Sequence, residues 1–182
     1  ALQRLTRDGW LEIRHGKPTK VRDFWQDGNL GMLAAMAGHW QSLPADFVPN
    51  LLFIRYLLAP EYARLALANN PDWALEALAG ADGLADTPEA FAAFDWALHK
   101  RLTQASGIAF FIYFINNVEG LYALAGTRYF DHPETRAHSR AFYADLRRCA
   151  QAGDAAAGYT LMQRVMFESR SFWLRFYGGQ AA

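Results

Sequence analysis

The chain has 182 residues, 52% of them hydrophobic, and 18 Lys/Arg balance 18 Asp/Glu. That length gives one domain with ample core, and the single Cys149 excludes an internal disulfide and fits a reducing compartment. The longest apolar run, Ile108 to Ile115, falls far short of the roughly 20 residues that span a bilayer, so a soluble cytoplasmic protein is expected.

The neutral total hides an asymmetry. Residues 1–22 carry Arg4, Arg7, Arg14, Lys17, Lys20 and Arg22 against Asp8 and Glu12, a net +4, and the rest of the chain nets −4. A basic head on an acidic body points to a nucleic-acid contact at one end. The head starts in mid-helix, with Leu2, Leu5 and Trp10 on one face, and Gly9 stands where helices commonly end. Trp10, Leu11, Ile13 and Val21 form short strand runs around the turn His15-Gly16-Lys17-Pro18. Such a hairpin is the wing of a winged helix-turn-helix, whose cationic tip reaches phosphate or a groove edge. It is equally a solvated basic turn. The recognition helix of such a unit is expected ahead of Ala1, so the head reads as a remnant.

Residues 23–28 then read as a linker with aromatic anchors, Phe24 and Trp25. From Asn29 on the pattern is helical. Pro44, Pro71, Pro88 and Pro133 mark first turns, and Gly107, Gly126, Gly153 and Gly178 mark ends or breaks. Helices are expected near 29–38, 44–58, 60–69, 71–80, 88–105, 108–126, 133–151 and 154–176, packed as an all-α bundle. The expected division is a head over 1–22, the linker, and a helical effector-binding domain over 29–178.

Several residues interrupt apolar faces. Met162, Val165, Met166, Ser169, Phe172, Trp173 and Phe176 recur at helical spacing, and Ser169 is the small polar gap among them. Its bland role is a bond back to its own helix. Arg55 shares a face with Leu51 and Leu58. A guanidinium there needs an anion: Glu168 or Asp95 within the protein, or a ligand phosphate or carboxylate. Tyr122 and Tyr129 lie seven apart along one face, with Tyr143 on the next helix. Tyrosines suit an apolar pocket with one polar end, and an ordinary core equally. Asp95 and His99, four apart, can reach one cation or pair with each other. No catalytic constellation is visible, and Cys149 reads as an inert helix residue.

Leu2–Val21 and the Asp23-Phe24-Trp25 that follows resemble the wing and linker of the FadR type of GntR-family regulators. The similarity continues through Pro49–Arg55, Phe94-Asp95, Ala105–Gly107, Gly120–Phe130, Ala141–Tyr143 and the Glu168-Ser169 and Phe172-Trp173 pairs. The resemblance implies an all-α effector domain that binds long-chain fatty acyl-CoA. It also implies a homodimeric repressor of fatty-acid degradation genes and activator of unsaturated fatty-acid synthesis genes, with no cofactor and no membrane partner. On it, His15, Gly16 and Lys17 match wing positions that touch operator DNA. Arg55, Ser169 and Trp173 match positions near the coenzyme and thioester end, and Leu51, Tyr122, Tyr129 and Tyr143 match positions lining or flanking the acyl cavity. Met166 stands near the ligand where glycine is expected, and Gly178 where a lysine could assist the coenzyme phosphates. Metal-binding relatives, sensors of small carboxylic acids, add two later histidines to an Asp-x-x-x-His pair. Asp95 and His99 match the pair, but Tyr143 and Val165 stand at the later positions.

Overall fold

A computed structural model of the chain describes residues 5–6, 9–39 and 43–178. Leu5 and Thr6 are helical, while Leu2, Arg4, Arg7 and Asp8 of the expected leading helix lie outside the described residues. Gly9, at φ 88°, turns the chain as a left-handed helix end, and the Trp10 amide donates to the Leu5 carbonyl at 2.8 Å. Strands β1 (Leu11–Glu12) and β2 (Lys20–Val21) pair antiparallel, Leu11 opposite Val21 and Glu12 opposite Lys20. Between them the Lys17 amide donates to the Arg14 carbonyl at 3.1 Å, and Gly16 takes φ 73°. His15, Gly16 and Lys17 are all exposed at this tip.

The linker holds one helical turn, α1 (Phe24–Asp27), started by Asp23 Oδ1 accepting from the Trp25 amide at 3.1 Å. Trp25 meets the Phe47 ring edge-on at 6.1 Å. Eight further α-helices follow among the described residues: α2 (Met32–Ala37), α3 (Phe47–Asn69), α4 (Pro71–Leu78), α5 (Pro88–Ala105), α6 (Ala109–Asn117), α7 (Glu119–Phe130), α8 (Pro133–Ala152) and α9 (Ala155–Tyr177). A 3₁₀ turn at Ala81–Gly83 joins α4 to α5. None is long and apolar enough to cross a membrane.

Three boundaries depart from the sequence pattern. The expected pair 44–58 and 60–69 is one helix, α3, running through Pro60. Proline in a helix interior removes one backbone bond, and burial of Ala59, Pro60, Tyr62 and Ala63 holds the helix together across that gap. The expected 108–126 is two helices, broken at Val118, whose φ −101°, ψ 3° are not helical. Gly126 ends nothing. A Cβ there would lie 3.1 Å from the Tyr122 ring and 3.4 Å from Ala92 Cβ, so glycine serves the approach of α7 to α5. Pro44 does not open its helix, which begins at Phe47, but Pro71, Pro88 and Pro133 do open helices, Thr87 caps α5 by accepting from the Ala90 amide, and Gly153 closes α8 at φ 64°.

The long helices α3 and α9 pack along their length, and α5 touches α3, α4, α6 and α7. Phe91, Leu98, Leu102, Phe130, Tyr143, Leu146 and Met162 fill the space between them. The α3–α9 contact needs a missing side chain, since a Cβ at Gly158 would fall 2.7 Å from Leu67 Cδ2. Gly158→Val is therefore expected to destabilise the protein by about 1–3 kcal/mol, as overpacking does. Urea denaturation checks this, and an unchanged midpoint would show that α3 and α9 separate freely.

Candidate functional site

Around the centre of the bundle, α3, α6, α7 and α9 leave a cavity of about 60 Å³. From α3 it is lined by Val48, Leu51, Leu52 and Arg55, and from α6 and the break after it by Phe114, Ile115 and Val118. Helix α7 supplies Tyr122, Ala125, Gly126, Tyr129 and Phe130, and α9 supplies Ser169 and Trp173. The wall is aliphatic and aromatic except for the guanidinium, two phenols and one hydroxyl. Such a surface suits an apolar ligand with a polar end.

The polar side of the cavity is fixed by a buried network. Arg55 Nη2 donates to Asp95 Oδ2 at 2.8 Å and also contacts His99 Nε2. Tyr122 donates to the same carboxylate oxygen, and Tyr143 donates to Asp95 Oδ1 at 3.0 Å. Arginine only donates, so His99 Nε2 carries its lone pair toward Arg55 and the ring proton sits on Nδ1. That nitrogen lies 2.6 Å from the Tyr62 hydroxyl. The assignment follows from Arg55 and is consistent along the chain of bonds.

The charges follow from this geometry. Burial and the Arg55 charge press the His99 pKa down to about 3, so the ring is neutral. Burial works against the Asp95 carboxylate, but Arg55 and the two phenol donors outweigh it and hold its pKa below the ordinary value. Burial also works against the Arg55 charge, and the Asp95 carboxylate more than offsets it. Burial and then the Asp95 charge push the Tyr122 and Tyr143 phenols up, so both stay protonated as donors. Beside the cavity, Arg55 and Asp95 thus form a cation–anion contact with the Tyr122 and Tyr143 phenols neutral. Of the partners open to Arg55 from sequence, Asp95 is the one it meets. Glu168 instead receives His138 Nε2 at 2.7 Å.

Of the residues expected at the ligand, Leu51, Arg55, Tyr122, Tyr129, Ser169 and Trp173 come together on the cavity wall. Ser169 makes the bond back to its own helix, donating to the Val165 carbonyl at 2.8 Å, and its oxygen also lies 3.4 Å from the Tyr129 hydroxyl. Two other residues named for the ligand site lie off this wall. Tyr143 does not line the cavity: it is 1% exposed, behind Asp95, with its ring 4.9 Å from that of Phe94. Met166, at 2% exposure, packs into the core and does not line the cavity. Sequence reasoning missed Val48, Leu52, Ile115, Gly126 and Phe130 as wall residues, and Tyr62 as the partner of His99. The shared helix faces Val48-Leu51-Leu52-Arg55 and Tyr122-Ala125-Gly126-Tyr129 carried that signal. Among the described residues no group of three or more His, Cys, Asp and Glu could hold a metal ion. Cys149 lies half-buried on α8, with burial pushing its thiol up and so away from reactivity.

Comparison with known proteins agrees with this architecture. The model of the FadR C-terminal domain family matches residues 22–178. A protein of Shewanella denitrificans named fatty acid metabolism regulator is 40% identical over 175 residues, covering 96% of this chain and 73% of the relative. Its namesake in Escherichia fergusonii is 38% identical over 174 residues with the same coverage. A solved GntR structure from Streptococcus agalactiae superposes with a TM-score of 0.54 at 16% identity, covering 93% of this chain and 78% of that one, which shows the shared fold.

Two outcomes test the network. Asp95→Ala leaves the guanidinium buried without its anion, and a loss of about 3–5 kcal/mol is expected in chemical denaturation. For pH, His99 has a depressed folded pKa, so its stabilisation is full above the unfolded value near 6.5 and drains as pH falls toward about 3. Between those limits wild type should lose about 1.4 kcal/mol per pH unit more than His99→Gln. Parallel slopes for the two proteins would mean that His99 titrates alike folded and unfolded.

Proposed function

Since this chain belongs to the FadR C-terminal domain family, we propose that it is the sensing part of a regulator of fatty-acid metabolism whose hold on operator DNA is released by long-chain fatty acyl-CoA. Relatives carry the regulator name, and the chain is a regulator, not an enzyme. The observation that carries the ligand class is the apolar cavity edged by Arg55, Tyr122, Tyr129 and Ser169. Each methylene buried there contributes about 0.8 kcal/mol, so the site discriminates steeply by chain length. The Tyr129–Ser169 hydroxyl pair and the Trp173 indole suit a thioester better than a carboxylate. Asp95 already neutralises Arg55, and a second carboxylate would meet that anion.

Room is the constraint. Pockets for organic ligands are typically ~300–1,000 Å³, and the cavity holds about 60 Å³. A close-packed interior does not stretch, so helices must move to admit a chain. Helix α6 is the wall least held down. Gly107 at φ 77° precedes it, the Val118 break follows it, Ile115 is its one buried residue, and Phe110 and Tyr113 stand exposed. Displacement there passes to α7, whose Gly120 comes so close to α2 that a Cβ on it would lie 3.1 Å from Ala37 Cβ. Met32 of α2 lies beneath Gly9 of the head, with Sδ 3.7 Å from a Cβ built at Gly9. In a homodimer carrying complete winged units, a shift along this route changes the spacing of two half-sites.

Titration calorimetry with a series of saturated acyl-CoAs tests the reading. Affinity is expected to rise about fifteenfold for each two added methylenes until the cavity is full, and Leu51→Trp, which fills the wall, should abolish the heat while the protein stays folded. Silence with oleoyl-CoA, or undiminished binding in Leu51→Trp, would end it.

A further inference from the structure

Helix α9 turns one face to the cavity and another to the outside, and an arginine stands on the strip between them. Trp173 is buried and lines the cavity, whereas Phe167 is exposed and meets the Tyr56 ring of α3 edge-on at 6.4 Å. A step of three residues turns back by about 60° around a helix axis. Arg170, three residues from each, therefore lies midway between the inward indole and the outward ring. It also follows Ser169, the hydroxyl of the cavity wall. Its side chain is half-buried and unpaired. Arg170 Nε is shut off from solvent and has no acceptor among the described residues. The other two arginines of α9 have carboxylates: Arg164 lies 3.8 Å from Asp145, and Arg175 pairs with Glu134. Glu168, two positions from Arg170, is taken by His138. A buried donor left unpaired is costly, and more so on a charged group. An anion from outside relieves that cost. The edge formed by Nε–H and one Nη–H of a guanidinium matches two oxygens of a phosphate.

We propose that Arg170 is a phosphate-docking residue at the lip of the cavity, holding a phosphate of the coenzyme head group while the acyl chain enters past Ser169 and Trp173. Inside the cavity Arg55 is already neutralised by Asp95, so the head group finds its cation at Arg170 instead. Recognition is then divided. The apolar wall selects the chain, and Arg170 selects the phosphorylated carrier over a thioester that lacks it. This inference rests on the acyl-CoA reading and adds to it the residue that reads the head group.

Titration calorimetry on wild type, Arg170→Gln and Arg164→Gln compares oleoyl-CoA with oleoyl-pantetheine, the same thioester without phosphates. Arg170→Gln should bind oleoyl-CoA about 10–100-fold more weakly than wild type and oleoyl-pantetheine equally well. Arg164→Gln removes a charge from the same helix and should change neither affinity by more than about twofold. Arg170→Met, which keeps the apolar stem, runs in parallel with the same expectations in case Arg170→Gln folds poorly. Equal weakening of both ligands means that Arg170 only shapes the fold, and overturns the proposal. Undiminished binding of oleoyl-CoA overturns it, and so does a loss in Arg164→Gln as large as that in Arg170→Gln. In each of these outcomes wild type still binds. Wild type that binds neither ligand refutes the acyl-CoA reading itself, and this inference falls with it.

Discussion

The Asp95 carboxylate is the knot of this protein. It is reached by Arg55 from α3, Tyr122 from α7 and Tyr143 from α8, and its own helix α5 adds His99 and through it Tyr62. Four helices thus meet at one buried anion. Buried ion pairs are weak sources of net stability, because desolvation offsets attraction, yet removing one partner is costly. The asymmetry sets one arrangement of the four helices against its neighbours. A slip of one turn in any of them leaves a charge or a phenol without its partner. Apolar packing alone, with its tolerance of volume-conserving rearrangement, does not impose that register.

This knot also sets the character of the cavity. With Arg55 and Asp95 in contact, the wall presents polar donors and no net charge. The aliphatic side chains of α3 and the aromatic ones of α6 and α7 then dominate what is admitted. Selection falls on length and shape, and the polar edge orients.

Much of this was legible in the sequence and some was not, for reasons that can be named. The hairpin was readable because Gly9 and Gly16 stand where left-handed backbone is needed. Helix starts at Pro71, Pro88 and Pro133 followed from local chemistry. Pro60 misled because a proline signals a start only while nothing downstream binds the helix together, and Tyr62, Ala63, Ala66 and Leu67 do so by burial. Gly126 misled because its lack of a side chain serves a neighbouring helix, a fact absent from its own segment. The wall residues on α3 and α7 were visible as shared faces. Whether Tyr143 and Met166 faced the cavity or the core depended on the rotation of α8 and α9, which tertiary contacts decide. Arg55 remained ambiguous from sequence because the partner that settles it lies 40 positions away.

Helix α3 carries a further implication through its internal proline. Without an N–H at Pro60, the Tyr56 carbonyl has no acceptor role in the helical ladder, and the rod has a seam one residue beyond Arg55. On one side lie Ala59 to Leu67, packed among other helices; on the other lie Val48, Leu51, Leu52 and Arg55, which line the cavity, with Phe53 and Ile54 turned to solvent. A single continuous helix therefore has its one missing rung next to the residue that ties it to Asp95. On the cavity side of that gap, the burial of Val48 and the Arg55–Asp95 contact hold the helix in place where the ladder does not.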